Sequence, residues 1–156
     1  MSVQIFLKLD GIEGESADAH HKGEIELIGW TWDLAAAPVS SSGVAAGKTT
    51  IRDIAIHKQA DLASPLLMLF AAERKRIAEG VVTNRRATGG EFLVLKMRDI
   101  LVTSLAESAT TEANQVSETV TLAFREVEVE YRPTLSSGSL GPPQIFGWDT
   151  TRNRPL

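Results

Sequence analysis

Apolar and polar residues alternate with a period of two over most of this chain. Near its start Val3, Ile5, Leu7 and Leu9 interleave with Gln4, Lys8 and Asp10, the pattern of a strand with one face on a core. Strand-like runs cover residues 3–10, 24–32, 49–57, 81–88, 91–105 and 117–131, rich in Val, Ile, Thr and aromatics and bounded by Gly, Ser, Asp or Pro. Three of them change face part-way. Ile25 and Leu27 give way to Ile28, Trp30 and Trp32; Leu93, Leu95 and Met97 to Ile100 and Val102; Val120, Leu122 and Phe124 to Val127, Val129 and Tyr131. Each slip demands a bulge or a bend that exchanges inside for outside. Long strands with such corners predict a mainly β fold, a small closed β-barrel of two packed sheets with bent strands.

One segment reads as helix. Ser64 suits the N-cap, Pro65 fits the first helical position, and Leu66, Leu67, Met68, Leu69, Phe70, Ala71 and Ala72 follow with a broad apolar face. One α-helix over 64–76 is therefore expected beside the barrel, and propensity alone permits it to reach Glu79 with Gly80 as its cap. Residues 33–48 carry no charge between their ends and predict an extended loop, long for a hairpin connection. Residues 107–118 are polar and acidic, an expected exposed turn. The tail, 133–156, contains Ser136, Ser137, Gly138, Gly141, Pro142 and Pro143, which argue against regular structure, while Phe146 and Trp148 offer anchors.

At 156 residues the chain has the size of a single domain. Its 16 basic and 20 acidic residues give a net charge of −4, which repels a phosphate backbone and disfavours a nucleic-acid partner. The absence of cysteine excludes disulfides, thiolate nucleophiles and Cys-ligated zinc. No run approaches the roughly 20 apolar residues that span a bilayer, so no membrane insertion is expected. The alternating start differs from the continuous apolar run of a signal peptide, so export without a cleavable signal is the expectation.

Four groups of residues invite a chemical reading. Gly43 to Thr49 resembles a phosphate-binding loop, but three residues, not four, separate Gly43 from Gly47, and a β-branched segment follows Lys48 where a helix is required. His20, His21 and Glu24, near Glu15 and Asp18, include metal-ligating types without the helical two-histidine spacing, and read better as a polar turn. His57, Asp61 and Ser64 are the residue types of a nucleophilic triad, but no glycine-flanked serine elbow is present and Ser64 is better used as a cap. Arg74, Lys75 and Arg76, with Arg85 and Arg86, form a basic run whose complement is the stripe of Glu126, Glu128 and Glu130, three carboxylates on one strand face. No catalytic constellation, metal site or cofactor survives, and the chain reads as an assembling protein, not an enzyme.

Spaced signatures in a fixed order carry a resemblance. They are Gly14-Glu15-Ser16, Asp18, His21-Lys22, Ile25, Trp30-Thr31-Trp32, Lys58, Asp61, Ser64-Pro65, Leu67-Met68, Arg86, Gly89-Gly90, Asp99, Leu101-Val102 and Ser104. Val120, Leu122, Phe124, Tyr131, Pro133 and Gly147-Trp148 complete the series. In this the chain resembles the hemolysin-coregulated proteins, Hcp, of the bacterial type VI secretion system, along nearly its whole length. It departs from their pattern at Gln59-Ala60, where an aromatic is common, and at Arg74 and Arg76, where a glycine and a histidine are usual after the helix.

The resemblance implies a single Hcp-like domain over 1–156 and a homohexameric ring. Rings stack into a hollow tube that leaves the bacterial cytoplasm, with spike and sheath proteins as partners and small effector proteins carried in the channel. Within that frame Gly29 and Thr31, alternating with core-facing Trp30 and Trp32, are expected to face the channel. Pro38, Val39, Ser40, Ser41, Ser42, Gly43 and Val44 are expected to contact the next ring, and Arg74, Lys75, Arg76, Glu126, Glu128 and Glu130 to meet across subunits. The competing readings are a monomeric β-barrel binding a small apolar ligand and a hydrolase built on His57 or the His20-His21 pair.

Overall fold

A computed structural model describes residues 2–44 and 47–156; Ala45 and Ala46 of the expected loop lie outside the described residues. Alternation becomes strand almost everywhere it was expected. β1 (Val3–Leu9), β2 (Ile25–Leu27), β3 (Gly29–Thr31), β4 (Leu34–Ala35), β5 (Thr50–Ile51) and β6 (Ile54–Gln59) precede helix α1 (Ser64–Glu73). β7 (Ile77–Arg86), β8 (Gly90–Ser108), β9 (Ser117–Tyr131), β10 (Gln144–Asp149) and β11 (Arg154–Pro155) follow it. The main sheet runs β11-β10-β9-β8-β7-β1-β2, with β6 joined to β9 and β3 to β6, and every pairing is antiparallel.

The face switches of the long strands lie side by side. Ile77 of β7 is opposite Ile100 of β8, which is opposite Phe124 of β9; one step further along, Gly80, Met97 and Val127 are likewise in register. All six positions are buried, and between them each strand places two consecutive residues away from the core. Three strands slipping face at one level form a single corner across the sheet, and Asp99, at φ 55°, occupies it on β8. A second irregularity between Val102 and Ser104 adds the residue that lets β8 follow β9 around the bend.

The strands enclose Leu7, Ile25, Ile54, Ile56, Leu95, Met97, Ile100 and Leu122, all at or below 1% exposure. The closed barrel expected from the sequence is not what the hydrogen-bonded ladder forms among the described residues. β2 pairs with β1 and β3 with β6, so the ladder stays open where the chain crosses from one to the other at Ile28. Ile28 itself is 62% exposed, and its N–H donates to the His57 carbonyl, turning the segment between its two partners.

Three local expectations are corrected. Helix α1 stops at Glu73, short of Arg76 and Glu79, because Arg74 adopts the left-handed conformation (φ 54°) while its N–H and that of Lys75 close on Ala71 and Phe70 carbonyls. The chain must leave the helix there so that Ile77 can enter β7 with its side chain in the core. Gly80 is a strand residue and not a cap. A Cβ on it would lie 2.7 Å from Ile100 Cδ1 and 2.8 Å from Leu9 Cδ2, so its missing side chain is what lets those residues close over β7. The tail is not irregular throughout, since β10 pairs along β9 from Gln144↔Tyr131 to Asp149↔Glu126 and β11 folds back onto β10.

Ser64 is not the N-cap. Ala63 holds that position without a side-chain cap bond, and the Asp61 carboxylate accepts from the Ala63 N–H at 3.0 Å instead. Ser64 Oγ is turned inward, donating to Glu118 Oε1 at 2.8 Å and accepting from Lys58 Nζ at 3.1 Å. Lys58 and Glu118 are 0% exposed at their side chains and 2.6 Å apart, with Asp61 Oδ1 2.8 Å from the same ammonium. The desolvation of such a buried pair is offset by its ion pairs and hydrogen bonds, and removing one partner strands the other. Lys58→Ala is expected to destabilise the fold by about 3–5 kcal/mol in urea denaturation, whereas the double change Lys58→Met with Glu118→Leu is expected to recover most of that loss. Equal damage from both would show that packing, and not the stranded charge, sets the cost.

Candidate functional site

β3 pairs with β6 so that Gly29 lies opposite His57 and Thr31 opposite Ala55, and β6 in turn sets Ala55 and His57 opposite Thr121 and Thr119 of β9. Alternation makes these one outward face, in which small and hydroxyl-bearing residues surround His57. Trp30 and Trp32 project the other way and pack on the core. Trp30 Nε1 donates to Asn84 Oδ1 at 2.9 Å, Asn84 Nδ2 donates to the Leu93 carbonyl, and Trp32 Nε1 donates to the Arg52 carbonyl. Held from behind in this way, Gly29 has open space where a Cβ would stand, and Thr31 is exposed.

The arm between β4 and β5 starts as a two-stranded ladder, Leu34↔Ile51 and Ala35↔Thr50, stapled by an ion pair of Asp33 with Arg52 at 3.0 Å. Its described tip is turned tightly: the Ser40 N–H donates to the Val44 carbonyl and the Gly43 N–H to the Ser40 carbonyl. Val39 and Val44 stand 66% and 65% exposed, and Pro38, Ser40, Ser41, Ser42 and Gly43 are exposed as well. The segment after Lys48 is the strand β5, so no helix dipole faces Gly43 or Gly47.

The charged candidates are placed on separate surfaces of one chain. Arg74, Lys75 and Arg76 follow α1, with Lys75 Nζ 4.7 Å above the Phe70 ring and Arg76 3.4 Å from Asp99. Glu126, Glu128 and Glu130 share the outward face of β9 beside Lys96 and Arg98 of β8. Arg98 reaches Glu126 at 3.8 Å and Arg132 reaches Glu130 at 2.9 Å, so the stripe is part of a mixed-charge face.

The other sequence candidates are engaged locally. His21, stacked on Phe6 at 4.4 Å, bridges Glu24 Oε2 at 2.9 Å and Glu91 Oε1 at 2.8 Å. Asp18 pairs with Arg85, whose guanidinium holds the Asp18 carboxyl far below its usual range, and Glu15 Oε2 accepts from the Leu62 N–H. His57 and Lys58 fall on opposite faces of β6, so His57 hydrogen-bonds Thr119 Oγ1 while Asp61 and Ser64 serve Lys58. The triad is not assembled. The sequence reading overlooked the Lys58–Glu118 pair, although the signal was present: Lys58 continues the core parity of Ile54 and Ile56, and Glu118 that of Val120 and Leu122.

The chain matches the family described as "Type VI secretion system effector, Hcp" over residues 6–131. It belongs to the Hcp family. A relative, "Protein hcp1" of Pseudomonas aeruginosa, is 30% identical over 159 residues that span 98% of each chain. The crystal structure of Hcp1 from Salmonella typhimurium superposes with a TM-score of 0.86 at 30% identity, covering 100% of both chains. A structure titled as a type six secretion system protein superposes at 0.92 with 27% identity, covering 99% of this chain and 100% of that one. As a member of the Hcp family the chain is a subunit of the type VI secretion tube, a structural protein that the system secretes. None of its helices, among the described residues, is long and apolar enough to cross a membrane.

Near the buried pair, Glu107 of β8 stands directly opposite Glu118. Burial pushes Glu118 up, but hydrogen bonds with Glu107, Lys58 and Ser64 and the Lys58 charge outweigh it and hold Glu118 below the ordinary carboxylate range. The hydrogen bond with Glu118 pushes Glu107 up, with burial and the Glu118 charge adding to it. A carboxyl raised in the fold contributes stability below its unfolded value and loses it as pH rises through the folded value. Melting curves of Glu107→Gln and the unaltered protein should therefore diverge in favour of the variant as pH increases from about 4 to about 7. A constant difference over that range would remove the assignment.

Proposed function

We propose that this Hcp chain forms homohexameric rings that stack into a hollow tube and carry small effector proteins in the channel, and that the 1–156 unit acts as one domain without enzymatic activity. The match to the Hcp family along nearly the full length carries this reading. In it the strands complete a barrel-like wall, with Ile25 to Thr31 closing the circuit by passing from β1 to β6. An interior filled by its own side chains favours a wall element over a monomeric barrel with an apolar ligand.

Gly29 and Thr31 then line the channel, an uncharged surface that close-fitting cargo approaches without ion-pair competition. The arm with Pro38, Val39, Ser40, Ser41, Ser42, Gly43 and Val44 reaches the next ring. Arg74, Lys75 and Arg76 of one subunit face Glu126, Glu128 and Glu130 of its neighbour. Assembly begins in the bacterial cytoplasm, where spike and sheath proteins are the further partners, and export needs no cleavable signal peptide.

Light scattering after size exclusion is expected to give about 101 kDa, six times the 16.9 kDa chain. A value of one chain mass at micromolar concentration would overturn the ring. Deletion of residues 38–46 is expected to leave the assembly at six chain masses while abolishing tubes in electron micrographs; tubes of normal length would show that the arm does not stack rings.

A further inference from the structure

The face that carries Gly29 and Thr31 also holds a histidine, the side chain whose charge changes between about pH 5 and 8. His57 stands half-buried between Gly29 of β3 and Thr119 of β9. Its Nδ1 meets Thr119 Oγ1 at 3.2 Å, and Nε2 has no hydrogen-bond partner among the described residues. Gly29 gives it no cover, because open space lies where a Cβ would stand. The other two histidines, His20 and His21, belong to the β1–β2 connection.

The groups around His57 on that face are neutral or anionic. β3 presents Gly29 and Thr31, β9 presents Ser117, Thr119 and Thr121, and β8, one strand further, presents Ser104 and Ala106. Asp53 comes four residues before His57, about 13 Å along an extended chain, and Thr103 Oγ1 holds its carboxylate at 2.7 Å. At the other end of β6, Glu15 and Glu26 share a groove with Gln59. Lys58, Glu107 and Glu118 belong to the opposite face, and Asp33 and Arg52 are paired with each other at the base of the arm. The next basic residue along β9 is Arg125 at the corner, about 20 Å from Thr119. A face bounded by carboxylates, on a chain of net charge −4, attracts a basic partner.

We infer that His57 makes the hold on cargo depend on pH: a cargo with a basic contact surface is retained while the imidazole is neutral and released once it is protonated. The inference rests on the reading of this face as the channel wall, and adds what the wall holds and how it lets go. Protonation places one positive charge per subunit beside hydroxyls and small side chains, with neither lysine nor arginine next to it. In a ring of identical subunits these charges stand at one level of the channel. They offset the attraction of Asp53 and repel a basic surface. Proton and cargo then compete, because a ligand that binds the neutral form better must weaken proton binding by the same factor.

A fluorescently labelled decalysine peptide serves as the basic probe, its binding to the assembled protein followed by anisotropy at low salt. Binding is expected to be roughly tenfold weaker at about pH 5.5 than at about pH 7.5. His57→Asn keeps an amide that can hydrogen-bond Thr119 but cannot gain the charge, and is expected to lose that difference. His57→Lys is expected to bind weakly at both pH values. Far-ultraviolet circular dichroism checks that the variants are folded, with His57→Gln replacing His57→Asn if it is not. Equal binding by the unaltered protein at the two pH values, no binding at either, or an undiminished pH effect in His57→Asn overturns the inference. Light scattering on the same samples separates it from the ring reading. Six chain masses throughout leave the ring standing whatever the peptide does, and one chain mass at the higher pH overturns the ring and this inference together. A ring that falls apart only at the lower pH assigns the loss of binding to disassembly and overturns this inference alone.

Discussion

The corner shared by β7, β8 and β9 is the constraint from which the rest of the structure follows. A strand exposes alternate residues to alternate faces, so three neighbouring strands can change face together only if the sheet turns at that level. Ile77, Ile100 and Phe124 on one side of the turn and Gly80, Met97 and Val127 on the other thus serve the same core from two directions. Gly80 is small because Ile100 and Leu9 need its space. Asp99 takes a left-handed backbone there, a conformation that Asp tolerates better than most residues. The mixed-charge face of Lys96, Arg98, Glu126 and Glu128 is the outside of that same turn.

The helix is fastened to this frame by polar chemistry as much as by Leu67 and Phe70. Lys58, Asp61, Ser64 and Glu118 come from β6, the turn after it, the first residue of α1 and the start of β9. Such a network gives little net stability against an apolar replacement, but its donors and acceptors match in one arrangement only. Leu67 alone would accept several rotations of the helix, and the network leaves one. That rotation turns Leu66 and Leu69 to the outside. The apolar surplus of α1 thus lies on the surface of the subunit and not in its core.

A tube subunit needs surfaces more than it needs a pocket, and the outer faces divide accordingly. The β3–β6–β9 face is small and hydroxyl-bearing around His57, the β8–β9 face is charged, and the β4–β5 arm carries no charge from Leu34 to Gly47 and is stapled at its base by Asp33 and Arg52. Surfaces with distinct chemistry can take distinct partners without competing for one another. The residues that most suggested catalysis have structural work instead: His21 holds Glu24 and Glu91 beside Phe6, His57 caps Thr119, and Ser64 sits inside the Lys58 network.

Strand positions, the face switches and the uncharged arm were legible in the sequence because each is a local pattern: period two, its interruption at Met97 to Ile100, and a run without charge. The family was legible for the same reason, since its signatures are short and ordered. The end of α1 was not, because Glu73 to Glu79 suit a helix well and only the burial of Ile77 in β7 ends it. Nor was the strand character of Gln144 to Asp149, whose Pro- and Gly-rich approach hides an edge that exists only once β9 offers hydrogen bonds. Whether the sheet closes, and which partner Ser64 serves, depends on residues tens of positions apart. By itself the sequence determined which residues belong to a core and where the strands bend; tertiary structure alone decided which strands meet at the bend, which charges are buried together, and which apolar side chains remain outside. Alternation is written along the chain, but pairing is a contest among distant segments for the same hydrogen bonds and the same interior volume.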